Sequence, residues 1–553
     1  MRVHAVDGFF EKYLTVISII IGIILVVIIV PIPSLTASVS DWHASTHPDY
    51  SMNLNGFLYF WAEPWHFPLL SVKGLGIPFG FNIFYTDSYP LAALIAKILP
   101  LSQAPNIYPA CIAAAILLQM VSGTYLARCC GLRSPAALMV GIMLTFMPFF
   151  LFRFVHIALA NHWIILIGLA ETIRHRPGHQ GRLVLLSLIA LLTHAYLLAM
   201  IFPLFLIASL RAALLTPTPA RKFFVESMGT VGLMVGLAYS IGLVGHGLTP
   251  LPPDNFGQAS LNLLSPFIPQ RSGLLPGRDI IDATGYQYEG YAYLGAGSLM
   301  LMLAAAWIAV RKGIPKLSGP VVLLPLLLGL FWLYALSNRI YLGHHLLLTV
   351  DLPDVILKIA AQMRNSGRFF WPVGYALVGL SLFLLQKHLR PAALYGLLGA
   401  ALVLQIIDAG PLRKVARHDL SDRRTPGIDA TLWDRYFAKS QRILVEPPFG
   451  CAPMPDWPVI VDLQNIAARK NVPINSLYAA RAMRTCDDVR IATEAEPRVP
   501  GTLFVFVGPQ AASVPRPDLS CHSLRIPRQL HKLWMPHDAS GETELTICSA
   551  KPT

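Results

Sequence analysis

The amino-acid sequence predicts a polytopic α-helical membrane protein with a small α/β unit at its C-terminal end. Three observations carry this. Only 13% of the 553 residues are charged, against roughly 25% in soluble domains, so the chain cannot cover a soluble globule. The mean hydropathy is +0.55. Apolar runs near the roughly 20 residues needed to cross a bilayer recur as far as residue 408.

The first run, Tyr13 to Val30, lacks a small-x-small cleavage site before Pro31 and is followed by many more, so it is a retained helix rather than a signal peptide. Full spans are expected over 13–31, 107–127, 135–152, 154–172, 223–246, 295–311, 319–336, 370–387 and 392–408. The apolar stretch 183–210 is interrupted at Thr193, His194 and Tyr196. It is short for two crossings and long for one, and reads as two short or broken helices. That makes about 11 spanning or partly spanning helices.

The basic loops set the topology. With a cytoplasmic N terminus, and 183–210 going out and back, the loops Arg128–Arg133, Arg174–Arg182, Arg211–Lys222, Arg311–Lys316 and Lys387–Arg390 all fall on the cytoplasmic side. A single crossing there would invert the later loops and break the rule. The same count places 32–106, 247–294, 337–369 and everything after about 409 outside, in the periplasm of a bacterial inner membrane. Within the first of these, 90–101 is a short interfacial or re-entrant helix. The net charge of +13 is scattered over short loops without a dense basic helix. It suits anionic headgroups and argues against nucleic acid.

After Asp408 charges become frequent and apolar runs shrink. The chain divides into a transmembrane domain, 1–408, and a periplasmic α/β domain, 409–553. Strands are expected at 442–446, 458–462 and 502–507, with helices at 463–470 and 475–484. Cys451, Cys486, Cys521 and Cys548 permit two disulfides in any of three pairings, or four free thiols. Cys111, Cys129 and Cys130 lie in or beside helices, and no cysteine spacing resembles a metal site.

Candidate chemistry gathers in the external segments. The stretch from Asp41 to Pro90 carries Asp41, Asp49, Glu63 and Asp87. Asp49 precedes SMNLNGFLYFW, which can lie in the membrane interface. A carboxylate there could act as general base toward a hydroxyl, or it is a solvated loop aspartate. Tyr85-Thr-Asp-Ser before Tyr89-Pro90 looks like a helix start that Asp87 or Ser88 can cap; alternatively Asp87 is a carboxylate at the membrane surface. Arg153, His156, Asn161 and His162 enter near the outer surface, where two spans join with almost no loop. Such groups line a cavity or pair with something. Arg153 and His156 can share a helix face, whereas simple core hydrogen bonding is the alternative for each histidine, His194 included.

The loop 337–369 holds an amphipathic stretch at 353–363 and ends in QMRNSGRFFWP. The forks of Arg364 and Arg368 suit phosphate oxygens, and Gly367 lets backbone come close; headgroup anchoring is the alternative. Glu289 stands among four tyrosines in GYQYEGYAYLGAG, as a carbohydrate-facing rim or an interfacial aromatic belt. There is no P-loop, HExxH or GxSxG, so neither an ATP-driven transporter nor a serine hydrolase is indicated.

In chain order the segments DYSMNLNGFLYFWAEPWHFPL, NIFYTDSYPLAALIAKIL, RFVHIALANHW, THAYLLAM, YQYEGYAYLGAG and MRNSGRFFWP resemble the DUF6311 family of bacterial multi-pass membrane proteins. That family is similar to membrane-embedded glycosyltransferases of the GT-C fold. The resemblance covers roughly residues 35–410, and YTDS-x-P and RxSGRF-x-WP are its most specific parts. It implies a GT-C enzyme that takes a polyprenyl-phosphate sugar and transfers it outside the cytoplasm, using an essential carboxylate in the first external loop. Carried onto this chain, the base is Asp49, with Asp87 second. Arg364 and Arg368 are candidate phosphate ligands, and Arg153, His156, His162, His194, Glu289 and Tyr85 are candidate substrate contacts. The acceptor is a cell-envelope glycan or a lipid-linked glycan. The first loop lacks the plain Asp-Asp or Glu-Asp pair of many GT-C members, and Asn365 replaces a small residue. No cofactor is implied; a divalent cation held by Asp49 and Asp87 could be accommodated. The alternatives are a transporter or flippase of lipid-linked glycans, or a non-catalytic subunit of a polysaccharide complex. Charges at the outer rim and the lack of an internal repeat weigh against a transporter.

Overall fold

The computed structural model describes residues 2–37, 39, 48–174, 179–214, 216–244, 252, 255–275, 282–313, 319–421, 428, 430–481, 484–495, 500–508, 519–527 and 541–550. Asp41, and parts of the expected loop 247–294, lie outside them. Seven described helices are long and apolar enough to cross a membrane: Glu11–Ile29, Ile107–Cys129, Ala195–Ala213, Pro219–Ser240, Gly319–Leu336, Ser366–His388 and Pro391–Asp408. The pair Ser134–Thr145 and Pro148–Val155 is long and apolar enough only when taken together, as one broken span or a re-entrant loop; it bends by 47° ahead of Pro148, which has no amide hydrogen to continue the ladder. Shorter helices Trp163–Arg174, His179–Thr193 and Ala296–Lys312 complete the bundle.

Helix Glu11–Ile29 exposes Ile19, Ile20, Ile23 and Ile24, and Ala296–Lys312 exposes Leu303, Trp307 and Val310. An apolar surface of this extent needs lipid rather than water around it. Inside, polar side chains staple the helices. Gln119 donates to Tyr375 Oη at 2.9 Å. Gln405 accepts from Ser298 N at 3.0 Å, and Asp408 accepts from Tyr293 Oη and Ala296 N, each at 2.8 Å. Each satisfies a group that lipid could not.

The expected span 154–172 starts only at Trp163. Asn161 donates to the carbonyls of Ile157 at 2.8 Å and Ala158 at 3.1 Å, so 156–162 turns instead of winding into a helix. The stretch 183–210 breaks at His194 as expected, between Thr193 and Ala195. Basic residues gather at one end of the bundle. Tyr125 donates to Glu171 at 2.6 Å; Arg174 donates to Tyr125 at 3.0 Å, Arg182 pairs with Glu171 at 3.2 Å, and Arg211 reaches Thr172 O at 2.9 Å.

The segment expected to lie irregularly in the interface is a buried helix, Pro48–Ala62. Tyr50, Ser51, Asn53, Phe57 and Tyr59 on it are almost fully enclosed. The C-terminal unit covers it. Its sheet runs Arg442–Glu446, Thr502–Val507, Glu542–Ala550, Leu519–Pro527; the first two strands are parallel and the rest antiparallel. Residues 458–462 are not a strand but part of helix Trp457–Lys470, with Pro458 in its first turn and Asn471 closing it at φ 52°. Among the described residues of the helix expected at 475–484, none is helical. Asn475 bonds both the N–H and the carbonyl of Val445, and Ser476 accepts from Phe449 N, so side chains take the place of a helical ladder. The disulfides are Cys451–Cys486 and Cys521–Cys548. Tyr59 Oη donates to Val472 O at 2.5 Å and Asn465 donates to Ser51 Oγ at 3.1 Å. One apolar core therefore runs from Leu25 to Ile547.

Candidate active site

Opposite the basic end, three carboxylates converge. Asp49 lies in the first turn of helix Pro48–Ala62, where the helix dipole favours negative charge. Its Oδ1 accepts from Tyr478 Oη at 2.5 Å, and its Oδ2 is 3.6 Å from His156 Nε2.

Asp87 does not cap the following helix. That helix begins at Pro90 with Tyr89 as its N-cap and no side-chain cap bond. Asp87 instead adopts φ 53°, a left-handed conformation that aspartate tolerates. This aims its carboxylate at His194 Nε2, 3.3 Å away. His194 Nδ1 accepts from Tyr196 N at 3.1 Å, which caps helix Ala195–Ala213. That bond assigns the proton to Nε2, facing Asp87. Burial works against charge on Asp87, but His194, then His156 and Arg368, outweigh it and hold the carboxyl below its ordinary range.

Glu289 bridges two arginines through one oxygen, with Arg153 Nη1 at 2.9 Å and Arg368 Nη2 at 2.6 Å. Arg153 also donates to Glu289 O at 2.9 Å, and Arg368 lies over the Tyr196 ring at 4.9 Å. Burial again opposes the charge, yet Arg368 and Arg153 hold Glu289 well below the usual carboxylate range. The triad carries one excess positive charge. Of the expected aromatic rim around Glu289, Tyr286 stays exposed and its ring lies 6.4 Å from that of Tyr288. Tyr291 and Tyr293 are fully buried because their chain turns into the bundle ahead of helix Ala296–Lys312. Gly367 serves a neighbouring loop: a Cβ there would stand 2.6 Å from Gly290 Cα, so the absent side chain lets the Arg368 segment approach Glu289.

The other expected residues divide. His156 belongs to the cluster. His162 does not; it packs 4.3 Å from the Trp371 ring with Nδ1 3.1 Å from Tyr375 Oη, inside the bundle. Arg364 is exposed, two residues past Gln362, whose carbonyl accepts from Arg481 Nη2 at 2.6 Å. Tyr85 O accepts from Ala480 N at 2.8 Å, and burial raises its phenol while Arg481 opposes the shift. Tyr478 and Arg481 come from the C-terminal unit. No local pattern in PINSLYAAR marks them, since Tyr478 meets a residue 429 positions away. Among the described residues, no group of three or more His, Cys, Asp or Glu side chains is placed to hold a metal ion.

Leu477 and Ala479, on either side of Tyr478, line a cleft of about 580 Å³. Its walls include Phe79, Phe81, Phe449 and Arg484, with Arg484 over the Phe79 ring at 4.6 Å.

No curated protein matches the chain. Among solved structures, the chain is similar to the crystal structure of the Archaeoglobus fulgidus oligosaccharyltransferase tethered with an acceptor peptide. The identity is 11% and the TM-score 0.45, over 91% of this chain and 70% of that one. The family model described as "Domain of unknown function (DUF6311)" matches residues 19–410, and "DUF6311 C-terminal domain" matches residues 432–524. The chain belongs to the DUF6311 family.

Proposed function

We propose that this membrane protein is a glycosyltransferase. It moves a sugar from a polyprenyl-phosphate donor to a cell-envelope glycan or lipid-linked acceptor, at the periplasmic face of a bacterial inner membrane. The observation that carries the reading is the meeting of Asp49, Asp87 and Glu289 with His156, His194, Arg153 and Arg368 at the bundle end opposite the basic loops. So many ionisable groups at a membrane edge are costly unless they serve a charged substrate.

Asp49 takes the proton of the acceptor hydroxyl as its oxygen attacks the anomeric carbon. The carbon–oxygen bond to phosphate breaks, its electron pair leaves with the polyprenyl phosphate, and the configuration inverts. Negative charge grows on the leaving phosphate. Exposed Arg364 and the excess charge of the Glu289 triad stabilise it there. Asp87 holds His194 toward the sugar hydroxyls, and the acceptor approaches through the cleft beside Tyr478. Asp49→Asn tests the base. Transfer should fall about 10²–10⁴-fold in purified, folded protein, and full retained transfer contradicts the assignment.

A further inference from the structure

The segment Val472–Arg481 of the C-terminal unit crosses the site as a strap. Its backbone is fixed on two sides. Ile474 N donates to Gly74 O, and Ala480 N to Tyr85 O, each at 2.8 Å. Ile474 also bridges Leu75 and Ile443 in parallel pairing. Side chains add a third side, through Arg481 on Gln362. Between these anchors Tyr478 N donates to Gln464 Oε1 at 3.1 Å, its ring packs against Phe449 at 4.7 Å with the planes tilted by 41°, and its hydroxyl reaches Asp49.

We infer that Tyr478 is a positioning residue for the carboxylate at Asp49, so that the soluble C-terminal unit is a working part of the active site. The inference rests on Asp49 being the general base. A phenol O–H on a carboxylate oxygen at 2.5 Å is a short, charge-assisted hydrogen bond. It fixes the rotation of the carboxylate and leaves Oδ2, the oxygen nearer His156, turned toward the interior of the site. The hydroxyl is separable from the strap's architecture. Phenylalanine would keep the ring contact with Phe449 and every backbone bond, and lose only the O–H.

The experiment compares wild type, Asp49→Asn, Tyr478→Phe and Tyr478→Ala as full-length protein in lipid nanodiscs. It measures transfer from a synthetic polyprenyl-phosphate sugar, with kcat and donor KM separated, and thermal unfolding on the same samples. Tyr478→Phe should lower kcat on the order of 10- to 100-fold, as for loss of a hydrogen bond to a charged group. Donor KM should stay at the wild-type value, and the unfolding midpoint should fall less than in Tyr478→Ala. Tyr478→Ala, which also removes the Phe449 contact, should lose stability as well. Wild-type kcat in folded Tyr478→Phe overturns the inference. So does a loss confined to KM or to stability. Full activity of Asp49→Asn instead refutes the base assignment itself, which separates the two failures.

Discussion

Glu289 is the sharpest structural test of the site, because one carboxylate oxygen serves two enclosed guanidiniums. Arg153 is 1% and Arg368 5% exposed, against 19% for Glu289. At an effective dielectric of about 20, each contact attracts by about 4 kcal/mol at about 4 Å. Repulsion between the two guanidiniums cancels roughly half of the sum. Glu289→Gln keeps the shape and removes the charge, leaving two buried cations facing each other. The expected loss is about 3–5 kcal/mol, as for removal of one partner from a buried ionic network. For a protein of this size that is a fall in unfolding midpoint on the order of 3–4 °C. The assay is thermal unfolding in nanodiscs at low salt, with Glu494→Gln as control. Glu494 pairs with Arg490 at 3.2 Å on the surface, both side chains more than half exposed, so its loss should leave the midpoint unchanged. A Glu289→Gln midpoint within about 1 °C of wild type would refute the claim that the triad is a mutually dependent charge cluster.

The same charges set an acid limit. Glu289 and Asp87 both fold with pKa values below their ordinary 4.5 and 3.8. A depressed folded value adds stability that is complete above the unfolded pKa and is lost as pH falls through the folded one. These two groups should therefore leave the midpoint level from neutral pH down to about 5 and pull it down below about 4, and a Glu289→Gln/Asp87→Asn variant should lose part of that acid fall in a pH series. Gly367→Ala should also destabilise, by about 1–3 kcal/mol, because its Cβ meets the Gly290 backbone. Gly396→Ala, on a helix face with nothing within 4 Å, should not. Unfolding midpoints of the pair check both.

Much of the fold was legible because membrane spans are written in composition. The run from Glu11 to Ile29 and the break at His194 follow from apolar length and from one polar interruption. Most residues of the charge cluster stood out singly in the sequence, but their partners did not. Asp87 looked like a helix cap because YTDSYP has cap chemistry, yet its left-handed backbone sends the carboxylate to His194. Arg368 looked free for phosphate, and Glu289, 79 positions earlier, claims it. Helix Pro48–Ala62 was missed because it is enclosed on nearly every face. Asn53, Asn55 and Ser51 are buried with the aromatics, which erases the amphipathic period. PVIVD imitated a strand through its β-branched residues, and helix Trp457–Lys470 absorbed them because tertiary burial outweighs weak propensity. Tyr478 had no local signal, since its contact with Asp49 exists only where the C-terminal unit meets the first-loop helix.

The central claim is that this chain cleaves a sugar from a lipid phosphate. Purified full-length protein in nanodiscs, given a panel of synthetic polyprenyl-phosphate sugars and a mixture of envelope glycan acceptors, should release free polyprenyl phosphate from at least one donor. The release, read by mass spectrometry, should be acceptor-dependent and should fall about 10²–10⁴-fold in Asp49→Asn. Binding of these donors with no polyprenyl phosphate released from any of them, or release undiminished in Asp49→Asn, would contradict the account.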